Sequence, residues 1–190
     1  MFGRSGSGKG TQAKLLIDYL KENDPERDTL RIETGEGLRE FIKQDNHTSG
    51  AVKNIMGEGG LLPEFVPIWV WTQKLISNFT GVENLVFDGV SRRVPEAPIL
   101  DGALDMYGFE ERYIVYIDVS EDWATQRLLD RGRFDDNKDE IKKRLEWYKD
   151  NVAPAVEYFE KNEKYSFLNV NGEQTIEEVH QSVIDAINKK

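Results

Sequence analysis

The chain has 190 residues, a formal net charge of −10 at pH 7, 32% charged and 38% hydrophobic residues, and no cysteine. It is long enough to bury a core, the missing thiols exclude disulfides and thiolate zinc sites, and the acidic balance argues against nucleic acid or an anionic membrane as partner, because both attract a basic surface. No apolar run approaches about 18 residues and no apolar leader opens the sequence, so a cytoplasmic protein without a membrane span is expected.

The first distinctive stretch is "GRSGSGKGTQ", residues 3–12. Beyond it, Ala13, Leu15, Leu16 and Leu20 give an apolar stripe near the 3.6 period, which predicts a helix over 8–20. "TLRIET" at 29–34 reads as a strand. The next fifty or so residues carry helical periodicity and no clear strand, so 34–79 is expected to be a small helical insertion. Within it, Trp69 and Trp71 of "PIWVW" are read as core residues. "NLVFDG" at 84–89, "YIVYIDV" at 113–119 and "YSFLNV" at 165–170 are further strands, rich in β-branched and aromatic residues. Helical patterns cover 95–106, 121–130, 138–160 and 176–188.

Strands alternating with helices of this length predict an α/β fold with a central parallel β-sheet flanked by helices. The core would comprise 1–33, 80–130 and 138–190, with a short excursion at 131–137. His47 and His180 have no ligand spacing and are given no chemistry. A phosphate loop follows a buried strand, and only Met1 and Phe2 precede this one. The first strand is therefore expected either to be cut to these residues or to begin before the given sequence.

Glycines at 3, 6, 8 and 10 let the backbone turn its N–H groups inward, and the following helix adds its positive N-terminal end. Lys9 supplies a mobile charge for the β and γ phosphates, as the G-x-x-x-x-G-K pattern requires. Most phosphate loops then carry a hydroxyl that ligates Mg²⁺. Gly10 stands there instead.

"GRSGSGKGTQ" resembles the G-x-P-G-S-G-K-G-T-Q loop of adenylate kinases and their nucleoside monophosphate kinase relatives, in which glycine after the lysine is normal. The resemblance implies a P-loop NTPase fold in which 34–79 is the acceptor-binding (NMP-binding) insertion and 131–137 is a short lid. It also implies donor ATP contacts from Gly6, Ser7, Gly8, Lys9, Gly10 and Thr11. "TGEGLRE" is similar to the family's T-G-x-x-L-R, which places Thr34 and Gly35 at the acceptor base and Arg39 on its phosphate. "GGLLPEFV" resembles the segment that lines the acceptor nucleotide, giving Gly60, Leu61 and Leu62. "VFDGVSRRVPEA" is similar to L-D-G-F-P-R-T-x-x-Q-A and implies acceptor contacts from Gly89, Val90, Ser91, Arg92 and Glu96. In the same segment Asp88 would hold the water shell of Mg²⁺.

"RLLDRGRFDDNKDEIKKRLEWY" resembles the lid region in its short form. It implies catalytic and phosphate-binding roles for Arg131, Arg133 and Arg144, with Arg92 and Lys9 completing the set. Arg127 is given a donor contact, although it also fits an ion pair on its own helix. Asp135 and Asp136 would orient neighbouring arginines, Trp147 would pack, and Gln174 of "NVNGEQTIEEV" would meet the donor adenine. The implied reaction is reversible transfer of the ATP γ-phosphoryl group to AMP by a cytoplasmic monomer with Mg²⁺ and no zinc.

Two departures bear on the acceptor. Ser91 replaces a proline whose peptide bond is commonly cis, so a trans bond is expected here. Glu96 replaces a glutamine, and an ionised carboxylate only accepts, which suits guanine or a lone amino group; it could instead pair with Arg93. Thr34 pulls the other way, because relatives acting on UMP and CMP usually carry alanine. A same-fold kinase for GMP, UMP or CMP, and a non-catalytic nucleotide-binding module, therefore remain open at this point. Arg133→Ala is expected to lower kcat by on the order of 10³ or more while leaving nucleotide binding largely intact. Steady-state kinetics that showed a change confined to KM would refute the role of Arg133.

Overall fold

The computed structural model describes residues 1–132 and 138–189. The phosphate loop leads into α1 (Lys9–Asn23), and β1 (Thr29–Glu33) follows. Three helices then come in succession: α2 (Thr34–Phe41), α3 (His47–Gly57) and α4 (Phe65–Asn78). After β2 (Asn84–Asp88) the chain makes a 3₁₀ turn at Val94–Glu96 and continues as α5 (Ala97–Met106). Next come β3 (Tyr113–Asp118), α6 (Glu121–Arg131), α7 (Lys138–Trp147) and α8 (Ala153–Glu160). β4 (Ser166–Asn171) and α9 (Ile176–Asn188) complete the order. Reciprocal side-chain caps fix the starts of two helices, Asn46 with Ser49 at α3 and Thr175 with Glu178 at α9.

β1 and β2 pair in parallel with Glu33 opposite Asp88, and β3 and β4 pair in parallel with Asp118 opposite Asn171. Met1 and Phe2 join the two pairs. The Met1 nitrogen donates to Phe87 O at 2.8 Å, Phe2 N donates to Val115 O at 2.8 Å, and Ile117 N donates to Phe2 O at 3.0 Å. The opening residues thus lie between β2 and β3, and the phosphate loop leaves from the middle of the sheet.

Alternation along these strands splits the core between the two faces. Phe2, Ile32 and Ile114 pack with Trp71, Leu75, Leu100 and Phe159 from α4, α5 and α8. Met1, Val86, Val115 and Ile117 pack with Ala13, Leu16, Val179 and Val183 from α1 and α9. This is the parallel sheet covered on both sides that the βα alternation predicts. The helical insertion has a core of its own, with Leu38, Phe41, Val52, Leu62, Val66 and Val70 in contact. α4 serves both clusters, because its first half faces the insertion while Trp71 and Leu75 are buried in the main core.

Two expectations need correction. The single helix anticipated over 138–160 is broken by a π turn at Tyr148–Val152, where Ala153 N donates to Tyr148 O. Pro154 accounts for the break: it has no N–H for the carbonyl four residues back, and its ring crowds that carbonyl. Trp69 is not core. It is 48% exposed and packs edge-on against Phe41 with ring centroids 5.0 Å apart, whereas Trp71 is fully buried.

Candidate active site

A cleft of about 1140 Å³ opens at the carboxyl ends of β1 and β2, between the phosphate loop, the insertion and the helices α6 and α7. Ligands of open α/β sheets bind at this edge, where loops and helix N-termini gather. The phosphate loop makes one wall. Gly6 has φ 87°, and a Cβ there would lie 2.6 Å from Ala124 O in α6, so only glycine lets the loop lie this close. Gly8 precedes α1 in the left-handed region and leaves the first amides of the helix facing the cleft.

Lys9 is folded back across this arc, its ammonium donating to Gly3 O at 2.8 Å and Arg4 O at 2.6 Å. Burial pulls its pKa down to about 8, against the opposing pull of Asp88. Thr11 and Gly10 line the same wall. A Cβ at Gly10 would lie 3.5 Å from Asp88 Oδ2 and 3.6 Å from the Arg31 guanidinium.

Asp88 ends β2 as a buried carboxylate and accepts from Arg31 Nη2 at 2.8 Å. The same nitrogen lies 2.8 Å from Glu33 Oε2, and Glu33 Oε1 accepts from Arg39 Nη2 at 3.0 Å. Arg31 and Glu33 are two residues apart on β1 and so share the face toward α1, with buried Ile32 on the other. Arg92 follows in the turn after β2, with its Nε donating to Gly89 O at 2.9 Å. Burial is the main influence lowering its pKa, opposed by Asp88, Glu96 and Glu33.

The insertion side of the cleft is walled by Thr34, Gly35, Leu38, Gly60, Leu61 and Leu62. Thr34 Oγ1 is buried without a hydrogen-bond partner among the described residues. Glu96 is 3% exposed and also faces the cleft. It does not take Arg93 as its partner: Arg93 Nη1 reaches Glu64 Oε1 at 2.6 Å across the insertion. Burial pushes the Glu96 carboxyl up to about 6, with Arg92 the main influence in the other direction.

On the opposite side, Arg131 closes α6, Arg144 projects from α7, and both line the cleft. Arg127 lines it too, its guanidinium 5.7 Å from the Trp123 ring centroid. α7 touches the insertion directly. Lys143 Nζ donates to Glu58 O at 2.9 Å, and the Glu140 carboxylate fills the space beside Gly59. Trp147 packs on the main core and also reaches the cleft wall. Arg133, Asp135 and Asp136 lie outside the described residues.

Four residues named from the sequence do not line the cleft. Ser7 is buried within the phosphate loop, and Val90 is turned into the main core. Ser91 is fully buried with φ 57°, a left-handed conformation that the proline ring cannot adopt. No cis peptide bond occurs among the described residues. Gln174 lies in the turn after β4, where its Nε2 donates to Asn171 O at 3.0 Å. In the other direction, the sequence reading missed Arg31, Glu33 and the Arg93–Glu64 pair. Its available signal was the charge alternating with Leu30 and Ile32 in "TLRIE", a pattern out of place in a strand buried on both faces.

Known proteins resemble this chain over nearly its whole length. The family model described as adenylate kinase matches residues 1–164. The chain is similar to an adenylate kinase of Porphyromonas gingivalis, with 35% identity over 100% of this chain and 94% of the relative. It is similar to adenylate kinase 1 of Nostoc sp., with 30% identity over 93% of this chain and 91% of the relative. A third relative, an adenylate kinase of Corynebacterium urealyticum, is 30% identical over 100% of this chain and 98% of its own length.

The raised Glu96 pKa fixes a dependence of stability on pH. A carboxyl with a folded pKa near 6 and an ordinary value of 4.5 holds its proton more tightly in the fold. Stability from this group is thus full below pH 4.5 and falls by about 2 kcal/mol as pH rises through 6. Glu96→Gln is expected to gain that amount over the parent protein between pH 4.5 and 7, read as the difference in urea midpoints. Parallel curves for the two proteins would show that Glu96 is not held in this environment.

Proposed function

The chain belongs to the adenylate kinase family, and on that premise we propose that its cleft transfers the γ-phosphoryl group of ATP to AMP, giving two ADP, with Lys9, Arg92, Arg131 and Arg144 neutralising the transferred group. The observation that carries this reading is the gathering of a phosphate loop and these cations around one cleft in a chain of net charge −10. The attacking group is a phosphate oxygen, already anionic at neutral pH, so no general base is required. What remains is to align two polyanions and offset the charge that spreads over the transferred group.

The roles divide by position. The phosphate loop, from Gly6 to Thr11, binds the donor, and the Lys9 ammonium exchanges Gly3 O and Arg4 O for phosphate oxygens. Arg39 takes the acceptor phosphate from one side and Arg92 from the other, each offering a planar fork to two oxygens. Arg127 serves the donor end together with the backbone of the turn at Gln174, whose side chain is held on Asn171 O, and Arg133 belongs with the lid arginines. Thr34, Gly60, Leu61 and Leu62 enclose the acceptor base, and from the turn after β2 Gly89 and Arg92 reach the same cleft. Closure of the insertion and lid keeps water from competing as acceptor; lids of this kind, the adenylate kinase lid among them, gate turnover in many enzymes.

Glu96 fits an adenine acceptor when it keeps its proton. A neutral carboxyl offers one O–H donor and one acceptor, the pairing that the adenine N6 and ring nitrogens present. Burial favours that neutral form, Arg92 and Arg93 oppose it, and with the carboxyl near 6 the neutral form is the major one only below about pH 6.

The residues fit Mg²⁺. Among the described residues no group of three acidic or histidine side chains could enclose an ion, and Asp88 is a single buried carboxylate beside the phosphate loop. An ion with strongly held water and one protein carboxylate suits that setting. When bound, it offsets charge between the donor phosphates. The reading includes a monomer in the cytoplasm, and the acidic charge argues against a nucleic-acid or anionic-membrane partner. Among the described residues no helix is long and apolar enough to cross a membrane.

Phosphoryl transfer from Mg-ATP measured separately with AMP, GMP, UMP and CMP tests the reading. Turnover with AMP is expected to exceed the others by about 10² or more in kcat/KM. Preference for another acceptor would reassign the base site, and no turnover by folded protein would leave only nucleotide binding. A second expectation concerns Gly89, where φ is 65° and a Cβ would lie 2.5 Å from the Arg92 guanidinium. Gly89→Ala is expected to displace Arg92 and lower kcat/KM by on the order of 10². Unchanged kinetics would remove Arg92 from the reacting group.

A further inference from the structure

Four charged side chains form a row through the cleft floor: Arg39, Glu33, Arg31 and Asp88, with successive contacts of 3.0, 2.8 and 2.8 Å. Both ends of this row face phosphate chemistry, since Arg39 belongs to the acceptor wall and Asp88 stands beside the phosphate loop. The centre has an unusual economy. One nitrogen, Arg31 Nη2, serves both carboxylates and has one N–H for each. Arg31 Nε is buried without a hydrogen-bond partner among the described residues, so the Nη2 end alone ties the guanidinium to its neighbours.

The register explains why the two carboxylates need a shared cation. Glu33 and Asp88 are partners at the ends of adjacent parallel strands, which places their backbones about 5 Å apart. Neither carboxylate can lose its cation without the other being drawn on. Glu33 is likewise shared, between Arg31 on one oxygen and Arg39 on the other.

We propose that Arg31 and Glu33 are positioning residues that couple acceptor binding to binding of the metal-loaded donor. An acceptor phosphate draws Arg39 away from Glu33. Glu33 then takes the larger share of Arg31, and Asp88 is released toward the water shell of the donor's Mg²⁺. By linkage the converse holds: Mg²⁺ near Asp88 drives Arg31 toward Glu33 and frees Arg39 for phosphate. The inference rests on the assignments of Arg39 and Asp88 made above, and neither Arg31 nor Glu33 is asked to touch the reacting atoms.

Calorimetric titration with AMP, alone and with saturating Mg²⁺ plus the non-hydrolysable β,γ-methylene analogue of ATP, tests the coupling without turnover. In the parent protein AMP is expected to bind about 5-fold or more tightly when the metal-loaded analogue is present. That gain should vanish when EDTA replaces Mg²⁺. In Glu33→Gln, which keeps the side-chain shape, AMP alone should bind more tightly than to the parent, because Arg39 is no longer held, and the gain should fall below about 2-fold. Arg31→Met should show the same loss of gain. A gain that persists in Glu33→Gln, is independent of Mg²⁺, or is absent from the parent protein overturns the proposal. If Arg31→Met fails to fold, Glu33→Gln decides alone. A parent protein that binds neither nucleotide would instead overturn the kinase reading on which the inference rests.

Discussion

Crowding of like charge is the constraint on which the arrangement depends. Lys9, Arg31, Arg39, Arg92, Arg131 and Arg144 all face one cleft, and two such cations about 5 Å apart repel by roughly 3 kcal/mol at the effective dielectric of a protein surface. The fold holds part of this set with a few carboxylates of fixed position. Asp88 and Glu33 stand at the ends of neighbouring strands, where the sheet register leaves them little freedom. Arginine between them is bound before any nucleotide arrives. The cost of gathering positive charge is thus met within the free protein, and incoming phosphates find donors already oriented.

The same carboxylates stand where the sheet meets the insertion. β1 runs straight into α2, so Glu33 and Arg39 lie on either side of the junction between sheet and insertion. α4 returns from the insertion into the main core, carrying Trp71 and Leu75 into a cluster with Ile32 of β1. α7 meets the loop at 58–60 through Lys143 and Glu140. The insertion is thus in contact with α7 as well as with the ends of the strands.

Legibility in the sequence followed how local the cause was. The phosphate loop is specified by glycine spacing and one lysine, and it stands where the pattern places it. Strands were visible from composition, and even Met1 and Phe2, too short to read as a strand, are drawn into the sheet by backbone hydrogen bonds on both sides. Pro154 in a long helical pattern was the readable sign of the π turn, and the expectation of one helix passed over it. Trp69 and Trp71 differ in burial although they are two residues apart, because a step of two turns a helix by about 200° and points them to opposite sides.

The site divides the same way. Lys9 was legible from the spacing of the phosphate loop, Arg39, Asp88, Arg92, Arg131 and Arg144 only through the resemblance to family motifs, and the fold brings all six to one cleft. Arg31 and Glu33 were not, since their meaning lies in a neighbour 55 residues away from Glu33 across a strand pair. Arg93 seemed suited to Glu96 by helical spacing and instead reaches Glu64, because the insertion folds over it. By itself the sequence determined the phosphate loop, the alternation of strands and helices, and the supply of arginines, each a matter of local spacing. Only the tertiary structure decided which carboxylate holds which arginine, because a salt bridge depends on distance in space, and here that distance is set by strand register and by how the insertion packs on the sheet.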